Sequence, residues 1–213
     1  MMKKLNSLWS GFKGFLFPPI CWHCEAEGED PLCSSCKNLL EPLPSYDPLV
    51  TFEGQGPAWS LIRALKSGKA PAIAKGLGGY MAIQFLQSQL PRPDLIVPVP
   101  QSFYRSFQVS YNPSFLLAEQ LGKVLQVPVV SLLKRKWQAY CQMRVEPHRR
   151  YLLSKSQFVW RSKLSIEGKT ILLIDDVIGT GATLRACTQR LQERAPFKII
   201  PMVAVKENIS RVG

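Results

Sequence analysis

The 213-residue chain has no apolar run fit to cross a membrane or to form the core of an export signal. Its opening stretch comes nearest. There Leu5, Leu8, Trp9, Phe12, Phe15 and Leu16 recur at helical spacing, but Lys13 and polar residues interrupt them. A cytoplasmic protein is expected. The opening helix either packs on its own domain or lies on lipid, peripheral at the inner membrane surface. Acids are scarce too: 15 Asp and Glu stand against 27 Lys and Arg, a net charge of +12. That balance favours polyanionic partners, although a basic surface also serves solubility alone. Disorder is excluded by a hydrophobic content of 46%, enough for a single core of ordinary size.

The most informative stretch is 169–184, KTILLIDDVIGTGATL. Ile171 to Ile174 contain no polar alternation, which suits a strand buried on both faces of a parallel sheet. Asp175 and Asp176 are expected where that strand ends, the place at which doubly wound sheets put their ligand groups. Gly179, Thr180, Gly181, Ala182 and Thr183 follow, and then a helical pattern from Leu184 to Leu191. The glycines permit a tight turn with exposed N–H groups at a helix N-terminus, and the threonines add hydroxyl donors. Such a cradle holds a phosphate, and the paired acids accept hydrogen bonds from a vicinal diol. A ribose 5-phosphate satisfies both. No Gly-Lys-Ser/Thr follows these glycines, which disfavours a Walker-type nucleotide loop.

Two Cys-x-x-Cys pairs, Cys21 with Cys24 and Cys33 with Cys36, lie eight residues apart. This spacing closes a tetrahedron of thiolates around Zn²⁺, with every position filled by sulfur and none left for water, so the metal is expected to be structural. Disulfides are the competing reading, disfavoured by the missing export signal. His23, inside the first pair, is a bystander. Cys141 and Cys187 are isolated and read as small buried residues. A proline-rich stretch over 41–48 separates two expected units, an N-terminal helix and zinc-binding module at 1–44 and a larger domain at 45–213.

In the larger unit, strands are expected near 49, 95, 129, 158, 171 and 199, with helices over 59–66, 72–90 and 115–125. Together they describe an α/β fold with a mainly parallel sheet flanked by helices. Lys66 at a helix end faces either solvent or phosphate. Gly76, Gly78 and Gly79 make no nucleotide motif. Between 134 and 163 cations are dense: Lys134, Arg135, Lys136, Arg149 and Arg150 are interleaved with Trp137, Tyr140, Tyr151 and Trp160. Cations for a phosphate backbone and rings for bases make a single-strand groove, or else a solvated face over core aromatics.

The run LLIDDVIGTGATL resembles the phosphoribosyl pyrophosphate (PRPP) loop of type I phosphoribosyltransferases, and further stretches are similar to the ComF family. The resemblance spans most of the chain. It implies that Asp175 and Asp176 contact the ribose hydroxyls and that 179–183 hold the 5-phosphate. The counterpart of the pyrophosphate loop follows Pro98-Val99-Pro100, with Arg105 as its sole cation and Tyr111-Asn112 at its end. Over 132–158 the chain resembles the family's flexible covering loop, with Gln142 and Phe158 present, Ala139 where a threonine is expected and Leu153 where an asparagine is.

Two functions are implied. One is a ComF-like part in DNA uptake during natural transformation, handling single strands in the cytoplasm beside other uptake proteins such as a helicase. The other is an active phosphoribosyltransferase joining a base or amine to C1 of PRPP, with Mg²⁺ bridging ribose and pyrophosphate oxygens and Arg105 or Lys66 stabilising the leaving group.

Overall fold

Ile171 to Ile174 alternate between two cores, and this explains why the run carries no polar residue. In the computed structural model, which describes residues 20–27, 31–44, 49–102, 107–136 and 155–207, they belong to β5, Thr170–Ile178. Leu172 and Ile174 face one buried cluster, while Ile171 and Leu173 face the other. The strand is flanked on both edges, so neither side of its backbone is left to water.

The elements in chain order are α1 (Ser34–Lys37), β1 (Leu49–Glu53), α2 (Gly56–Lys66), α3 (Ile73–Gln87), β2 (Leu95–Pro98), α4 (Pro113–Leu125), β3 (Leu133–Arg135), β4 (Phe158–Trp160), β5, α5 (Ala182–Gln192) and β6 (Lys198–Lys206). A 3₁₀ turn over Lys155–Gln157 precedes β4. The main sheet has the order β1-β6-β5-β2, all parallel. On one face α2, α3 and α4 bury Leu61, Ile62, Leu65, Leu77, Met81, Leu117 and Leu121. On the other, α5 contributes Leu184, Ala186, Cys187 and Leu191, joined by Leu133 and Phe158 of a small antiparallel ribbon, β3-β4. Gly78 permits the close approach of α3 to α4, because a Cβ there would lie 2.5 Å from Cβ of Gln120.

Two strand expectations change. Residue 129 supplies only a single parallel bridge to Ile96, and the strand at 158 pairs with β3 rather than entering the main sheet. Pro128 next to Val129 has no N–H to offer a ladder, which keeps the contact short.

Residues 41–44 run beside β1, where the Leu43 N–H donates to Thr51 O at 2.8 Å. Gln84 of α3 fixes this edge from beneath. Its Nε2 donates to Leu43 O and Val50 O at 2.9 and 2.7 Å, and its Oε1 accepts from Thr51 Oγ1 at 2.9 Å. Among the described residues no helix is long and apolar enough to cross a membrane. The opening stretch expected to be helical lies outside the described residues.

Candidate functional site

The two acids do not end their strand. β5 continues through Val177 to Ile178 because β6 pairs with it as far as Ile178↔Lys206, whereas β2 stops at Pro98↔Ile174. Asp175 and Asp176 are the first residues beyond the end of β2, where the sheet edge opens into a hollow of about 180 Å³. Lys66, Gln101, Ser102, Ser114, Arg135 and Thr183 line it with them.

Several elements bring these residues together, with Gln101 and Ser102 sharing the loop after β2. Asn112 caps α4, its side chain accepting from Ser114 N at 3.1 Å, with Pro113 pre-set for the first turn. Asn112 Nδ2 also donates to Val99 O at 2.9 Å, tying the helix to the loop after β2. This places Ser114, whose Oγ donates to Asp175 Oδ1 at 3.0 Å. Tyr111 donates to Leu65 O at 2.8 Å and so pins the end of α2 to the same loop. Lys66, the last residue of α2, lies 3.3 Å from Asp176 Oδ2.

The adjacent carboxylates therefore differ. Burial, then the neighbouring Asp176 charge, pushes Asp175 up to about 7. Asp176 has the Lys66 ammonium, and its Oδ1 accepts from Val177 N at 2.7 Å. Burial also works against the charge on Arg135, partly offset by Cys187 and Asp175 nearby. Gln101 Nε2 is buried without a hydrogen-bond partner among the described residues, a donor left for a ligand oxygen.

A second hollow of about 110 Å³ is lined by Asp175 and by Val177 through Leu184, and it shares Asp175, Val177 and Thr183 with the first. Gly181 has φ +73 and precedes α5 with no side-chain cap of its own, a helix start whose first-turn amides suit an anion. Thr180 Oγ1 accepts from Ala182 N at 3.4 Å, and Arg185 Nη1 donates to Thr180 O at 2.8 Å. The loop remains hollow, and the acids border the cavity.

Cys21, Cys24, Cys33 and Cys36 come together with all four sulfurs within 4.8 Å of one another, a cluster that could hold a metal ion. Tetrahedral thiolate ligation needs sulfurs about 3.8 Å apart, and Cys24 and Cys33 are at 3.7 Å. Burial raises Cys21, but N–H groups of Cys24, Cys33 and His23 outweigh it and bring the thiol to about 6, favouring thiolate. His23 stays out of the cluster, and its Nδ1 shares a hydrogen bond with Ser60 Oγ of α2 at 3.0 Å. Cys21, Leu32 and Cys36 enter the same buried cluster as Leu61 and Phe52.

The basic segment is divided. Lys134 is exposed and Lys136 follows β3, but Arg135 turns into the hollow beside Asp175 and Asp176 and lies 5.8 Å from the Phe158 ring centroid. Trp160 is covered on one face by the Arg194 guanidinium at 3.7 Å. Arg105, Arg149 and Arg150, with Trp137, Tyr140 and Tyr151, lie outside the described residues. The sequence gives no local sign of Ser114 or Gln101 as site residues. Only the Asn-Pro start of a helix hinted that residue 114 would be aimed anywhere in particular.

Residues 112–212 match the phosphoribosyl transferase domain family. Competence protein F of Haemophilus influenzae is 30% identical over 182 residues, covering 82% of this chain and 79% of that protein. The DNA utilization protein YhgH of Escherichia coli K12 is 27% identical over 166 residues, covering 73% and 70%. Competence protein ComFC of Bacillus subtilis is 35% identical over 100 residues, 47% of this chain and 39% of that one. With an α/β parallel sheet of type I phosphoribosyltransferase class and a four-cysteine cluster before it, the chain belongs to the ComF family of competence proteins.

Proposed function

We propose that this protein acts in DNA uptake, handling single-stranded DNA in the cytoplasm, and that its pocket binds PRPP or a related sugar phosphate. The observation that carries the ligand is the joining of two hollows at Asp175 and Thr183. A ribose diol on Asp175 and Asp176 would put its 5-phosphate within reach of the amides and hydroxyls of 179–183. Support for the DNA role comes from the names of the relatives in Haemophilus and Escherichia and from the net charge of +12. Lys134 and Lys136, with Arg149 and Arg150, supply cations for a strand, and Arg135 divides its charge between strand and pocket. The 1–44 unit is proposed to carry structural Zn²⁺ on its four cysteines, and 45–213 to form the ligand domain. Peripheral contact with the inner membrane and a helicase partner belong to the same reading.

Catalytic transfer is a second reading, favoured by the unpartnered Gln101 donor and by two cations, Lys66 and Arg135, in the hollow where pyrophosphate would leave. Arg105 would add to them. Mg²⁺ bound with PRPP would neutralise the departing oxygens. The chain's own groups would orient the diol through the two acids and place donors ahead of the charge that develops.

Thermal unfolding with PRPP and Mg²⁺ tests the pocket: melting temperature should rise for the native chain and not for Asp176→Asn. Release of pyrophosphate from a panel of bases would establish transfer, and a shift without it would leave binding alone. Single-stranded DNA should bind with a steep salt dependence that Lys134→Ala with Lys136→Ala flattens. No shift with PRPP would overturn the pocket assignment, and salt-independent DNA binding the electrostatic one.

A further inference from the structure

One face of α2 carries Trp59, Arg63 and Lys66, spaced so that they stand in a row along the helix over about 10 Å. The opposite face, with Ala58, Leu61, Ile62 and Leu65, is buried. A row of this kind on a plain helix surface would face only solvent. Here it forms one wall of a concave groove of about 740 Å³, completed by Gln108, Val109, Val177 and Glu207. The volume falls in the range of built ligand sites.

Trp59 packs partly against the core and borders the groove, so its ring is held in place. Arg63 and Gln108 are exposed, and their side chains make no hydrogen bond or ion pair among the described residues. The groove meets the sugar-phosphate hollow at Lys66 and Val177, which line both.

We propose that this groove seats a nucleotide of a single DNA strand, with a base on the Trp59 ring, the backbone phosphate on Arg63, and Lys66 as the cation shared with the sugar-phosphate pocket. The proposal rests on the DNA-handling reading and gives it a place. Three observations favour a strand over a second sugar phosphate. A ring beside a cation is the pairing that sequence-tolerant strand binding uses. The acid pair next door suits a vicinal diol, which a deoxyribose strand lacks, so the strand needs a separate seat. Glu207 also lines the groove, and its carboxylate disfavours phosphate beside it, which leaves Arg63 as the backbone's partner. The Gln108 amide and the Glu207 carboxylate offer a donor and an acceptor to a base edge.

The test uses the full chain, fluorescent oligo(dT) anisotropy across a salt series, and thermal unfolding with ribose 5-phosphate as the second probe. Trp59→Leu keeps apolar packing and removes the stacking ring, and Arg63→Glu reverses the charge on an exposed side chain. Each is expected to weaken oligo(dT) binding about tenfold or more, Arg63→Glu should also reduce the salt slope by about one, and both should leave the ribose 5-phosphate shift intact. Asp176→Asn is expected to do the reverse. If the native chain binds oligo(dT) and both variants bind equally well, the groove assignment is overturned while the DNA reading stands. If the native chain binds no oligo(dT), both fall. Loss of the ribose 5-phosphate shift in Arg63→Glu would show that the groove is no separate seat and would overturn the proposal as well.

Discussion

Lys66 Nζ lies 3.3 Å from Asp176 Oδ2, joining the last residue of α2 to the middle of the ligand-side end of β5. Their side chains are 23% and 10% exposed, so water screens the pair only partly. The ammonium offsets one charge of a carboxylate pair that would otherwise repel itself. Any ligand that takes over Asp176 as an acceptor also releases the Lys66 ammonium into the hollow.

Removing that ammonium should be felt without any ligand present. Lys66→Met is expected to lower stability by about 1–3 kcal/mol, because Asp176 keeps its desolvation and loses its counter-charge. Urea unfolding at neutral pH measures it, and Lys66→Arg should recover part of the loss. An unchanged midpoint would mean that the pair adds nothing to the fold.

Asp175 sets the pH response. Its native value is raised from 3.8 to about 7, so proton uptake favours the fold. Below about pH 4 the group is protonated in both states and its contribution is complete. Between pH 4 and 7 the unfolded chain ionises first and that contribution is lost. Asp175→Asn is therefore expected to gain stability relative to the native chain at pH 8, by up to about 4 kcal/mol, and to gain nothing at pH 4. Chemical denaturation at the two pH values checks the sign. An equal effect at both would remove the burial argument.

The four cysteines should carry one metal per chain. Native mass spectrometry of protein purified under reducing conditions is expected to show a single zinc, and Cys33→Ser to lose it. Because Cys21 and Cys36 are part of the main buried cluster, metal removal should also lower the melting temperature of the whole chain rather than free a detached module. A metal-free native chain would contradict the assignment.

Gln84 offers a check on the edge of the sheet. Gln84→Leu is expected to cost about 2–4 kcal/mol, since Leu43 O, Val50 O and Thr51 Oγ1 each lose a partner and Leu can replace none of the three bonds. Denaturant midpoints decide it, and a loss under about 0.5 kcal/mol would show that water substitutes.

What could be read from the sequence was what the chain writes contiguously. The apolar run at 171–174, the acid pair, the glycine turn and both cysteine pairs each occupy a few adjacent residues, and each occurs where its pattern places it. The pattern of β5 alone places the strand end at Asp175, because it does not tell which neighbouring strand stops first. The fate of Lys66 was hidden for a related reason: its partner is 110 residues away, and only the order β1-β6-β5-β2 brings α2 beside the end of β5. Ser114 and Gln101 were silent because a serine in a first helical turn and a glutamine after a proline are ordinary in themselves. In the sequence Arg135 is one of three consecutive cations, yet the alternation of a short ribbon turns Lys134 outward and Arg135 toward the pocket.

Ser60, bonded to His23 of the cysteine-bearing segment, and Lys66, bonded to Asp176, belong to the same rigid helix about two turns apart. A disturbance at the thiolates would thus tilt the very element that delivers the ammonium to the pocket. If the proposed zinc and sugar phosphate are bound, loss of the metal would reach the ligand through this one helix, without passing through the sheet.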